Sequence, residues 1–114
     1  MAGRAKLGIT YVPISNVTNA QQVISALAEK GFKNAEGAMV INEISSDSDL
    51  ANKDVKQYDM IVAVNGDVLT STDVMTSVLS KSSPGDTVKL TIARIENNSI
   101  KTFEVDCKLI ESKE

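Results

Sequence analysis

The 114-residue chain contains no histidine and no tryptophan, and only one cysteine and two prolines. Without histidine there is no Ser-His-Asp or Cys-His nucleophile pair and no His-ligated zinc or iron centre. No catalytic residue, metal site or cofactor is therefore assigned, and the chain is not expected to be an enzyme by itself. The lone Cys107 can neither close an internal disulfide nor build a multi-thiolate metal site, and it reads as a small core hydrophobe. Long apolar runs are also missing. Met60 to Val64 falls far short of the ~20 residues that span a bilayer, and no basic start leads into an apolar signal segment. A soluble fragment making no membrane contact of its own is expected. Charge of one sign is scarce too. With 12 basic against 15 acidic residues the net charge is -3, and the basic residues are scattered singly. That leaves no phosphate-tracking stripe and argues against nucleic acid as a partner.

What is present is enough apolar material, 42% of residues with 24% charged, for one compact core. Leu7 to Val12 has the β-branched and aromatic content of a strand, closed by Pro13. Thr18 with Gln21 fits a capping box, and Ala20, Val23, Ile24, Leu27 and Ala28 keep helical spacing up to Gly31. Ala38 to Ile44 reads as a buried strand. Ser45 to Asp49 then supply turn and cap chemistry for a short helix near Leu50 to Lys53. Met60 to Val64 is a second buried strand ending in Asn65-Gly66, a turn pair, before an extended stretch at Val68 and Leu69. Ser71 or Thr72 caps a second helix carrying Val74, Met75, Val78 and Leu79, and Pro84-Gly85 follows it. Val88, Leu90 and Ile92, then Phe103, Val105, Cys107 and Leu109, alternate as a terminal hairpin with one buried face around Asn97-Asn98. The sum is a small α+β domain of about five strands and two to three helices over residues 4–110. The ends 1–3 and 111–114 are expected to be flexible.

The junction residues carry a resemblance. Arg4-Ala5-Lys6-Leu7-Gly8-Ile9, Gly37-Ala38-Met39-Val40, Tyr58-Asp59-Met60-Ile61 running to Val64-Asn65-Gly66, and Pro84-Gly85-Asp86-Thr87-Val88 occur in the order and spacing of one family. In this the chain resembles the PDZ domains of HtrA/Do-like (DegP-like) bacterial serine proteases. The resemblance implies a partly open five-stranded β-sandwich or barrel capped by helices, in the permuted order of bacterial proteases. It departs from the family at Ser46, usually Pro, at Lys53-Asp54-Val55, usually Ala-Gly-Leu, and at Tyr58, usually Gly. The segment Ile14 to Glu36 is longer than in many relatives and is a candidate lid or docking surface.

The resemblance also implies a mechanism, in which an extended peptide adds to an exposed strand edge. The loop Arg4, Lys6, Leu7, Gly8 and Ile9 would receive the peptide carboxylate on backbone N–H groups, with Gly8 allowing close approach. Gly8 read without the family is simply a strand-entry glycine. Ile9, Thr10 and Tyr11 would pair with the peptide. The helix beginning at Thr72 would form the other wall, with Thr72, Met75, Val78 and Leu79 as its groove residues. Periodicity alone leaves open whether Met75 and Leu79, with Leu7 and Ile9, line the pocket or Val74 and Val78 do, and Met75 equally suits plain core filling.

The implied partners are peptides or the C-termini of unfolded proteins, and the protease domain of a longer parent, itself a serine endopeptidase. The implied setting is extracytoplasmic, in the periplasm or at the cell surface with a membrane-anchored parent, in protein quality control. The alternative is a packing or gating domain for protease oligomers that binds no free peptide, which an occluded groove would favour. Weaker signals fall away. Asp47 and Asp49 begin like a calcium loop, but Ala51 and Asn52 stand where a ligand and the turn glycine are needed. Lys81 beside Ser82 lacks the buried setting that would activate a lysine.

Overall fold

The computed structural model describes residues 4 to 97 and 99 to 112, with only the backbone of Arg4 and Ser112. The strands are β1 (Arg4–Lys6), β2 (Ile9–Pro13), β3 (Met39–Ile44), β4 (Met60–Val64), β5 (Asp67–Val68), β6 (Thr87–Glu96), β7 (Ser99–Lys108) and β8 (Ile110–Ser112). Two helices, α1 (Ala20–Glu29) and α2 (Thr72–Ser80), and the 3-10 turns Ile14–Asn16 and Asp49–Asn52 complete the chain. One sheet runs in the order β2-β3-β4-β6-β7 with β5 added to β4, while β1 and β8 form a separate ribbon. The strand pairings are antiparallel. The sheet is open, and the α+β, PDZ-like class expected from the element pattern is the one observed.

Alternation along the central strands sends side chains to two cores. Ile41, Ile61, Val64, Leu90 and Ile92 pack with Met75 of α2, Leu50 and Leu7 on one face. Val40, Met60, Val62 and Ala93 pack with Val23 and Leu27 of α1 on the other. This corrects the hairpin reading. The middle of β6, from Leu90 to Ala93, is buried on both sides because α1 covers the face that alternation alone assigns to solvent.

The boundaries shift where local chemistry gives way to tertiary contacts. β2 starts at Ile9, not Leu7, because Gly8 has φ +81° and turns the chain out of the extended region. α1 starts after Asn19, which makes no side-chain cap bond, so the Thr18 capping box does not form. Its N-terminal entry is held instead by backbone bonds, Ala20 N–H to Val17 O and Val23 N–H to Asn19 O, both 3.1 Å. At the other end of the chain Glu111 and Ser112, expected to be loose, pair with Ala5 and Arg4 in the β1–β8 ribbon, while residues 1–3 and 113–114 lie outside the described residues.

The turn that departs from the family keeps its shape by other means. Tyr58 takes φ +75°, which glycine adopts freely, and its N–H donates to Ile41 O at 2.8 Å. Next to it, Asp59 accepts from the Lys56 N–H and from Arg94 of β6. The turn is thus tied to the sheet at both flanks.

Candidate functional site

β2 ends the strand order, so it pairs with β3 alone and its second edge meets no strand among the described residues. Tyr11 and Val12 are 41% and 38% exposed on this strand. Exposed strand edges are commonly blunted with charge because they template further pairing, and here the exposed positions are Thr10, Tyr11 and Val12.

The hydrogen bonds of the neighbouring turn set the direction of this edge. The Ser45 N–H donates to Gly8 O at 2.9 Å, and one step on Ile9 stands opposite Ile44. Residues of an antiparallel ladder alternate between facing the partner and facing away, so the N–H and C=O of Ile9 point to the unpaired edge. Ser48 Oγ donates to Leu7 O at 2.6 Å. In a trans peptide the N–H points opposite to the C=O. Fixing the Leu7 and Gly8 carbonyls on the 45–48 turn therefore turns the N–H groups of Gly8 and Ile9 away from it. Among the described residues neither the Leu7 nor the Gly8 N–H finds an acceptor. Successive backbone N–H groups beside a positive-φ residue form a concavity suited to an anion. Lys6 is half-buried next to this loop, and of Arg4 only the backbone is described.

The candidate groove-helix residues separate by helical angle. Met75 is buried at 3% exposure in the core shared with Leu7, and Val74, Val78 and Leu79 pack partly against the same core, as does Ile9. Val74 and Val78 line a hollow of about 560 Å³ with Asp67 and Val68 of β5, on one flank of α2. Thr72, Thr76 and Leu79 share the opposite flank through i, i+4, i+7 spacing, with Met75 between the flanks. Thr76, an exposed residue whose hydroxyl donates back to Thr72 O, escapes sequence reading because it lies outside the apolar stripe.

Ser45 and Ser48, which bond to the Gly8 and Leu7 carbonyls, are not singled out by the sequence as neighbours of this loop. The cap chemistry was legible in the sequence, since Ser48 Oγ accepts from the Leu50 N–H at 3.1 Å. Its second bond, to a carbonyl 41 residues away, leaves no trace in local pattern. The Ile14 to Glu36 segment does not lie with α2. Its buried Val23 and Leu27 occupy the core on the other face of the sheet.

The profile of the PDZ domain family matches residues 5–107. Comparison by sequence with curated proteins gives no match. Among solved structures the fold is similar to that of the HtrA-type protease AlgW with a tripeptide, at TM-score 0.68 and 13% identity; all of this chain is covered, and it spans 34% of the AlgW chain. It is also similar to a PDZ domain protein from Parabacteroides distasonis, at TM-score 0.64 and 23% identity, covering 99% of this chain and 21% of that one. The PDZ domain of a carboxy-terminal protease from Vibrio cholerae, in complex with peptide, has TM-score 0.61 and 17% identity, covering 97% and 98%. At these identities the likeness is one of fold.

Proposed function

Because the chain belongs to the PDZ domain family, we propose that it is a peptide-binding module that captures extended peptides with apolar C-termini by strand addition to β2. The observation that carries this reading is the orientation of Ile9. Its N–H and C=O face an edge that, among the described residues, is unpaired, directly after a loop whose N–H groups find no acceptor among those residues and suit a carboxylate. The groove lies between that edge and the Thr72, Thr76 and Leu79 flank of α2, with Leu7 and Met75 as its floor. The partly buried Ile9 and Leu79 offer apolar surface to the last peptide side chain.

In its parent the module serves as a substrate-recognition or regulatory domain beside a serine protease domain of the HtrA type, outside the cytoplasm. The AlgW likeness, in which this chain spans 34% of the protease, supports that parentage. No described helix is long and apolar enough to cross a membrane. The test is an NMR titration with short peptides ending in free apolar carboxylates. Saturable shifts of the amides of Leu7 to Tyr11 and Thr72 to Leu79, with affinity markedly weakened on C-terminal amidation, are expected. No shifts at millimolar peptide would return the packing role to the front.

A further inference from the structure

Ser48 is a polar side chain sealed at 1% exposure, 41 residues along the chain from the loop it touches. It makes two bonds with one oxygen. The hydroxyl donates to Leu7 O at 2.6 Å and accepts from the Leu50 N–H at 3.1 Å, so its proton is committed to the loop. Its Cβ also bounds the loop sterically. A Cβ built at Gly8 would lie 2.7 Å from the Ser48 Cβ, closer than real contacts allow, so the loop rests against Ser48 at the one residue with no side chain. Gly8 at φ +81° is thus held from two directions, by the Ser48 bond to the preceding carbonyl and by the Ser45 N–H bond to its own.

We infer that Ser48 is a positioning residue for carboxylate capture: by holding the Leu7 carbonyl it fixes the peptide plane whose other end is the Gly8 N–H, and aims that N–H at the peptide terminus. The inference rests on the strand-addition reading above. A hydroxyl that caps the turn Asp49–Asn52 uses its acceptor bond to Leu50 and, being buried, must also place its proton, which here goes to Leu7 O. The donor bond to Leu7 serves the loop. Removing it frees the Leu7–Gly8 plane to rotate, which costs the interaction with a carboxylate and leaves strand pairing along Ile9 to Tyr11 intact. An amidated peptide still offers a carbonyl oxygen but lacks the charge that strengthens these bonds, so it loses less by that rotation.

The experiment compares wild type, Ser48→Ala and, as a destabilised control remote from the loop, Val23→Ala. Each is titrated with one peptide ending in a free apolar carboxylate and with its C-terminal amide, following the Gly8 and Ile9 amide signals. Loss of one net hydrogen bond corresponds to about tenfold in affinity. Ser48→Ala is expected to lose about tenfold for the free acid and little for the amide, collapsing their ratio, while Val23→Ala keeps the wild-type ratio despite its lower stability. If Ser48→Ala does not fold, Ser48→Cys, which retains Cβ and a weak donor, is expected to give an intermediate ratio. A wild-type ratio in the folded Ser48 variant overturns the positioning role alone. Absence of binding by wild type overturns the strand-addition reading, and the role of Ser48 with it.

Discussion

Arg94 of β6 and Asp59, at the entry to β4, meet as a two-pronged pair, Nε to Oδ1 at 2.9 Å and Nη2 to Oδ2 at 2.7 Å. Asp59 is the one charged residue buried among the described residues, and Arg94 also donates to the Asp54 carbonyl and stacks 5.1 Å from the Phe103 ring centroid. The hydrogen bond to Asp59 raises the guanidinium pKa against the lowering effect of burial, holding its charge more firmly. Removing one partner of such a pair strands the other. Arg94→Ala is expected to cost about 3 kcal/mol of stability in chemical denaturation, with peptide affinity of the folded protein unchanged. An unchanged midpoint would show that the turn holds itself.

Tyr58 gives a prediction of opposite sign. It sits at φ +75° with its side chain 71% exposed, so it bears left-handed strain and buries little in return. Tyr58→Gly relieves roughly 1 kcal/mol of that strain, offset in part by greater freedom of the unfolded chain. The variant should be as stable as wild type or up to about 1 kcal/mol more so, where glycine elsewhere destabilises. A loss above that size in thermal or chemical unfolding would place an unrecognised contact on the Tyr58 ring.

α1 tests whether the long Ile14 to Glu36 segment acts as a lid. Leu27 is fully buried in the core on the face away from α2. Leu27→Ala should cost about 3 kcal/mol through lost burial and the cavity left behind. Because Leu27 packs on the sheet face away from α2, peptide affinity should stay the same. A rise in affinity in the loosened variant would mean that the segment does restrain the groove.

How much of this was legible in the sequence depends on how local each cause is. Met60 to Val64 is observed at the expected limits, and Asn65 and Gly66, at φ +52° and +87°, form the expected turn. Both are local signals, an apolar run and a dipeptide that tolerates positive φ. β1 and β8 were missed because three residues such as Arg4-Ala5-Lys6 carry no usable period, and their pairing spans nearly the whole chain. The Gly8 loop was legible through family resemblance, whereas the Ser48 to Leu7 bond was not, since nothing within a few residues of Ser48 announces a partner 41 positions away. The two-sided burial of β6 was hidden for a similar reason: strand alternation is read one face at a time, and α1 comes from elsewhere in the chain.

Cys107 supplies a pH dependence. Its thiol is fully buried, and burial, with a smaller contribution from Asp49, pushes its pKa from 9.0 up to about 11. The folded pKa is the higher one, so the contribution to stability is fully present below the unfolded value and is lost as pH rises from about 9 towards about 11. Alkylation of the native protein at pH 8 should therefore be limited by opening of the fold, and the midpoint of denaturation should fall above pH 9, less so in Cys107→Ala. Fast labelling of the native protein would contradict the buried placement.

Strand addition itself is tested most directly by N-methylating the peptide backbone one residue at a time. With the carboxylate on the Gly8 and Ile9 N–H groups, the last residue's own N–H faces Ile9 C=O, and the two-residue period places the third residue from the end in the same orientation. Methylation at those two positions is expected to remove binding, whereas methylation of the penultimate residue leaves it nearly intact. Equal tolerance, or equal loss, at all three positions would contradict pairing along β2.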